Sequence, residues 1–193
     1  MSKYTGSAIV TDTHHEKHEK PKVDATTGLS ENHLSELISE HGLHEITIAD
    51  AGLRSASSNE LNLLFKRGDV TSDGIFIPYS SDYCRTKLDV PLMREGGRVT
   101  KYLSPSDSQD RLYIPKSVEP ILGDSSIPLF ITGDEIKALK LTQEGLPCIG
   151  LAGICSFCLD KLFLTDFDRI ELKNRKVYII LDSDSREANY EGE

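Results

Sequence analysis

A chain of 193 residues can bury one ordinary core with some length to spare, which excludes two full-sized domains. Its 22 Lys and Arg against 31 Asp and Glu give a net charge of −9, so a basic coat that wraps nucleic acid over the whole surface is excluded and any such contact must be local. No apolar run approaches the ~18 residues of a membrane span, and no hydrophobic leader opens the chain, so a cytoplasmic protein without membrane contact is expected.

Residues 1–28 mix Ser, Thr, Lys, Glu and His around HHEKHEKPK and read as a disordered arm. His14 and His18 are four apart, as ligands on a helix would be, but no second pair stands at zinc spacing. From Ser30 the run SENHLSELISEHG predicts an amphipathic helix capped by Ser30, stopped by Gly42, and apolar along Leu34, Leu37, Ile38 and His41. A second helix is predicted in SSNELNLLFKRG, with Ser57 and Glu60 as a capping box, Leu61, Leu64 and Phe65 as the stripe and Gly68 as the end.

Between Gly74 and Pro115 the pattern turns to β: GIFIPY, YCRTKLDVPL, VTKYL and RLYIP read as a meander of short strands. Alternation in YCRTKLDV sets Arg85 and Lys87 on one face, with Lys101 and Arg111 as neighbours from later strands. Residues 83–103 carry five basic side chains (Arg85, Lys87, Arg94, Arg98, Lys101) against Asp89 and Glu95. Such a stripe fits either a phosphate-facing surface or an ordinary solvated sheet face.

After Gly123 the sequence reads strand (IPLFIT), helix (EIKALKLTQEG, closed by Gly145), strand (PCIGLAG), and after a longer connection a third strand (KVYII). That order predicts a parallel α/β sheet whose ligands gather at the carboxyl ends of its strands. The third strand, expected to be buried, runs into Asp182-Ser183-Asp184. Side chains two apart project to one side, so the two carboxylates can share a divalent ion. Without a cation the same residues would serve as turn formers after a strand. Cys155 and Cys158 form a C-x-x-C with Cys148 upstream, but no second pair completes a zinc site. The four cysteines read as reduced packing groups.

Taken in order, GIFIPY, KLDVPL, KYLSP, RLYIP, SIPLFITGDEIKALKLTQEG, CIGLAGI and KVYIILDSDS resemble the Toprim-like domain of unknown function of phage and plasmid primases and primase-helicases, over residues 30–187. The resemblance implies an α/β fold: a Toprim-like parallel sheet flanked by helices over 123–193, C-terminally short, preceded by a small α+β segment with a β-meander over 29–122. It implies Mg²⁺ or Mn²⁺ held by Asp182 and Asp184, nucleotidyl-transfer or phosphodiester chemistry in DNA replication, and a DNA or RNA-DNA template as partner, with a helicase or other replication proteins beside it. Where the family reads Thr-Glu-Gly-Glu, this chain reads Thr132-Gly133-Asp134-Glu135, so glycine stands at the key glutamate and Asp134 and Glu135 become the candidate catalytic carboxylates. The family continues past its Asp-x-Asp into a further helix and strand, whereas nine residues follow Asp184 here. An open edge beside Ile179 and Ile180 is therefore expected. The rival expectations are a non-catalytic, degenerate nucleic-acid-binding or interaction module, and a metal-dependent hydrolase of small phosphates.

Overall fold

The computed structural model describes residues 28–97, 99–106, 108–153, 158–159 and 162–180. Residues 1–27 of the expected arm, Arg98, Cys155, and the Asp182 and Asp184 pair lie outside the described residues. The fold is mixed α/β: a four-stranded antiparallel sheet, a three-stranded parallel sheet, and helices packed on both. No helix among the described residues is long and apolar enough to cross a membrane.

Helix α1 (Glu31–Ser35) starts where its cap predicts, with Ser30 Oγ accepting the His33 N–H at 3.3 Å. It runs on as a π-helical turn over Glu36–Glu40 and stops at Gly42, whose φ is +66°. That change of pitch rotates the apolar face from the expected one. Leu37 and His33, four residues apart, are buried, while Ile38 is 37% exposed. Two elements not expected follow: helix α2 (Glu45–Ala51), closed by Gly52 at φ +70°, and strand β1 (Arg54–Ala56). Helix α3 (Ser58–Leu64) is capped by Ser57, which accepts the Glu60 N–H. It buries Leu61, and Phe65 just past its end is buried too, but Leu64 is exposed.

Strands β2 (Gly74–Pro78), β3 (Cys84–Met93) and β4 (Val99–Leu103) extend β1 into an antiparallel sheet in the order β1-β2-β3-β4. Its two faces pack differently. Ile75 and Ile77 lie opposite Lys87 and Arg85, and the two isoleucines join a cluster with Leu37, Ile48, Ile136, Leu139 and Cys148. Cys84 and Leu88 face the other way, toward Leu61 and Phe65. The expected fourth meander strand, RLYIP, belongs instead to the other sheet: Tyr113 makes an antiparallel bridge to Gly150 with two 2.8 Å bonds.

Strand β5 (Leu129–Thr132), helix α4 (Glu135–Gln143) and strand β6 (Cys148–Gly150) form where expected, and Gly145 at φ +82° closes the helix. A two-residue hairpin of β7 (Cys158–Leu159) and β8 (Leu162–Phe163) precedes β9 (Val177–Ile180). The parallel order is β6-β5-β9, with Thr132 paired to both Gly150 and Ile180. Strand β9 differs from the buried strand expected. It lies at the sheet edge, and Val177, Tyr178, Ile179 and Ile180 are all exposed, because among the described residues β5 is its sole strand partner. One apolar cluster spans the expected 122/123 boundary, joining α1, α2 and β2 to α4 and β6. A second joins Leu112, Val118 and Leu122 to Leu129, Ile131 and Ile149.

Candidate functional site

The turn Thr132-Gly133-Asp134-Glu135 leaves the central strand of the parallel sheet and enters α4. Two neighbours and its own last residue fix it. Leu151 donates its N–H to Thr132 O at 2.8 Å, Gly150 approaches so closely that a β-carbon there would lie 2.9 Å from Asp134 O, and Glu135 inserts into the protein. Asp134 is the N-cap: its Oδ1 accepts the Lys137 N–H at 2.7 Å, and its Oδ2 lies 3.3 Å from Lys137 Nζ. The Asp134 side chain is 23% exposed, and its pair with Lys137 is a weak one at the surface.

Glu135 has no exposed surface. Its Oε1 accepts the Tyr79 hydroxyl at 2.6 Å and Arg85 Nη1 at 2.5 Å, and the Arg85 guanidinium lies 4.8 Å from the centre of the Tyr102 ring. Burial pushes the Tyr79 hydroxyl well above its ordinary value, and the adjacent Glu135 charge adds to the shift. For Arg85, burial works to lower the pKa, but Glu135 and Tyr79 outweigh it and the guanidinium is held charged. Burial likewise raises Tyr102 and Tyr113, and Glu135 contributes to both. Glu135 Oε2 and Arg85 Nε have no hydrogen-bond partner among the described residues. The carboxylate expected to act on substrate is thus a buried counter-charge that ties α4 to β3.

The four basic residues expected to meet phosphate part company. Arg85 and Lys87 do share a face of β3, but that face packs inward: Arg85 pairs with Glu135, and Lys87 bonds Glu36 in the π-helical turn. Two acidic residues remote in sequence therefore neutralise two of the basic side chains in that stretch. Arg111 pairs with Asp82 through bonds of 3.1 and 2.9 Å and lies over the Tyr83 ring, and the Arg111 hydrogen bond brings the Asp82 carboxyl down to about 2. Lys101 is exposed on β4.

Among the described residues no group of three His, Cys, Asp or Glu side chains could hold a metal ion. Of the two carboxylates at the turn, Glu135 does not fit a ligand role, since its Oε1 is taken by Tyr79 and Arg85. Asp134 fits better, because only Oδ1 caps the helix and Oδ2, paired with Lys137 Nζ at 3.3 Å, belongs to a partly exposed side chain. Cys148 is fully buried, with burial raising its thiol to about 12, and Cys84 is also buried. Both are packing groups, as expected.

A polar network not foreseen lies at the other end of the antiparallel sheet. His33 Nδ1 is 2.6 Å from Ser55 Oγ, His33 Nε2 is 2.9 Å from Asp89 Oδ1, and Ser55 Oγ also accepts the Ser30 N–H at 2.8 Å. It joins α1 to β1 and β3. The available sequence signal was His33 standing four residues before Leu37 on one helical face.

No known protein family and no curated protein matches this chain. Among solved structures it is similar to the Aquifex aeolicus primase (zinc-binding and RNA polymerase domains), with a TM-score of 0.49 and 16% identity. The similarity covers 78% of this chain and 42% of that one. At that TM-score the likeness carries no weight on chemistry.

Proposed function

We propose that the chain is a Toprim-like domain of a mobile-element DNA replication primase, with Asp182 and Asp184 holding Mg²⁺ or Mn²⁺ and Asp134 as the third carboxylate. The supporting observation is the parallel pairing of β5 with β9. Ile180 pairs with Thr132, the sequence reaches Asp182 two positions after Ile180, and Asp134 follows two positions after Thr132. In sequence, both acidic runs thus begin two positions past a pair of residues matched across adjacent parallel strands. A bound divalent ion would supply charge neutralisation on phosphate oxygens. Lys101 is the phosphate contact within this proposal, since Arg85, Lys87 and Arg111 are committed to Glu135, Glu36 and Asp82.

One observation favours a second reading, a non-catalytic module that keeps the fold and not the chemistry. Gly133 occupies the usual glutamate position, and Glu135, the nearest replacement, is buried against Arg85. Primer-synthesis and nuclease assays of the full chain with Mg²⁺ or Mn²⁺, beside Asp182→Asn, separate the two. Turnover lost in Asp182→Asn supports the enzyme. Absent turnover with Mn²⁺ binding intact supports the module, and turnover that survives Asp182→Asn overturns the metal assignment.

A further inference from the structure

Three side chains from three elements meet end to end at an open pocket. His33 lies in α1, Ser55 on β1, the edge strand of the antiparallel sheet, and Asp89 on β3. The His33 ring is held from both sides, with Nδ1 2.6 Å from Ser55 Oγ and Nε2 2.9 Å from Asp89 Oδ1. A hydroxyl within about 2.6–3.2 Å of a base that a third group orients is the arrangement that activates a nucleophile.

The partners place the protons. A carboxylate only accepts, so in the neutral ring Nε2 carries the proton and bonds Asp89, and Nδ1 is left as the acceptor. Ser55 therefore donates its hydroxyl proton to Nδ1. Ser55 Oγ also accepts the Ser30 N–H at 2.8 Å, which fixes the hydroxyl and leaves one lone pair of the oxygen uncommitted among the described residues. The His33 side chain is 7% exposed, so burial holds the ring in place, while that of Asp89 is 41% exposed.

All three residues line one pocket of about 810 Å³, within the range of small-molecule sites. Among the described residues its lining carries Glu36, Glu60, Asp73 and Asp89 and no lysine or arginine. Lys87 and Arg54 pair with Glu36 and Glu60, which leaves the pocket with the charge of Asp73 and Asp89. An anionic substrate such as a phosphodiester is repelled there, whereas an uncharged ester is not.

We infer that Ser55, His33 and Asp89 form an acyl-transfer site that hydrolyses small uncharged carboxylic esters. Ser55 Oγ attacks the ester carbonyl: the Oγ–C bond forms and the hydroxyl proton passes to His33 Nδ1. Asp89 stabilises the resulting imidazolium at Nε2. Collapse breaks the bond to the alkoxy oxygen, which leaves as an alcohol carrying the proton from Nδ1. Water then adds to the acylated Ser55 by the same route and releases the carboxylic acid, so water is the one co-reactant. Asn32 and Asn59 line the same pocket, and their amide N–H groups are the oxyanion donors in this scheme. Asp89 does not touch the substrate and is a positioning residue. The inference is independent of the metal chemistry proposed above.

The test uses the full chain in EDTA with an uncharged alkyl fluorophosphonate and with p-nitrophenyl acetate, circular dichroism verifying the fold. The fluorophosphonate is expected to form an adduct that mass spectrometry of the digested wild-type chain places on Ser55. The ester is expected to be turned over, and Ser55→Ala to abolish both reactions. Asp89→Asn is expected to lower kcat by about a hundredfold or more and leave KM close to wild type, a split that loss of a merely structural bond would not produce. Folded wild-type chain that takes no adduct on Ser55 or does not turn over the ester, turnover that survives Ser55→Ala, or an Asp89→Asn kcat equal to wild type overturns the inference. The wild-type chain alone can fail the first two conditions, so a variant that does not fold leaves the inference testable.

Discussion

Arg85 Nη1 sits 2.5 Å from Glu135 Oε1, so the first residue of α4 places its charge against the second residue of β3, fifty positions earlier in the chain. The pair spans the antiparallel sheet and the α/β unit, with Tyr79 as a third member bonded to the same oxygen. Neither ion could be left alone there without a large desolvation cost.

Arg85→Met is expected to destabilise the protein by about 3–5 kcal/mol, because it strands Glu135 in the interior. The double variant Arg85→Met/Glu135→Leu removes both charges and is expected to recover most of that loss. Urea denaturation of the two variants decides the matter: a double mutant no more stable than Arg85→Met would show that the charges are not coupled as the geometry indicates.

Asp134 has a capping role in the structure and a ligand role in the proposal, and the two can be separated. Asp134→Ala is expected to cost about 1 kcal/mol by leaving the Lys137 N–H without its acceptor. Asp134→Asn keeps the cap and removes the charge. Stability close to wild type with weakened Mn²⁺ binding, read by isothermal calorimetry, is the outcome the proposal requires; unchanged Mn²⁺ affinity leaves Asp134 a cap only.

Gly150→Ala is expected to cost about 1–3 kcal/mol, since the new methyl would meet Asp134 O at 2.9 Å and the Glu135 Cα at 3.3 Å. Both are backbone atoms, so relief requires the turn itself to move. A melting temperature equal to wild type would mean that β6 and the turn are less tightly apposed than this.

The Glu36–Lys87 pair makes stability depend on acid. Burial tends to raise the Glu36 carboxyl, but Lys87 and His41 outweigh it and hold the folded value below 4.5. The unfolded chain therefore takes up the proton first. The pair's contribution is full above about pH 4.5 and is lost as pH falls through the lowered folded value. Lys87→Met should lose less stability than wild type on titration from pH 6 to pH 3, and equal losses would remove Glu36 from the account.

The β5, α4 and β6 run was legible because each element carries local marks: an apolar run of strand length, an Asp cap, and a glycine stop. The fate of Glu135 was not, since burial depends on Arg85 and Tyr79, which sequence distance conceals. The same holds for Lys87, whose neutralising partner Glu36 lies on a helix 51 positions earlier. Helix α2 lacked a side-chain cap at His44 and leaves Ile46 67% exposed, so its periodicity is weak. RLYIP had the composition of a strand, and only tertiary packing decides that Tyr113 bridges to Gly150 and not to β4. For the Asp182 and Asp184 pair the sequence remains the sole witness, as both lie outside the described residues.

The chain contains seven tyrosines and no tryptophan. Four of the seven, Tyr79, Tyr83, Tyr102 and Tyr113, gather around the Arg85–Glu135 pair, with Tyr79 5.0 Å from both Tyr83 and Tyr113. Four of the protein's seven tyrosine emitters thus sit at the junction of its two sheets, and the Tyr79 phenol donates a hydrogen bond to a carboxylate, a contact that quenches its emission. Loosening of that junction should appear as a rise in tyrosine emission before the helical signal falls, an optical reporter that needs no label.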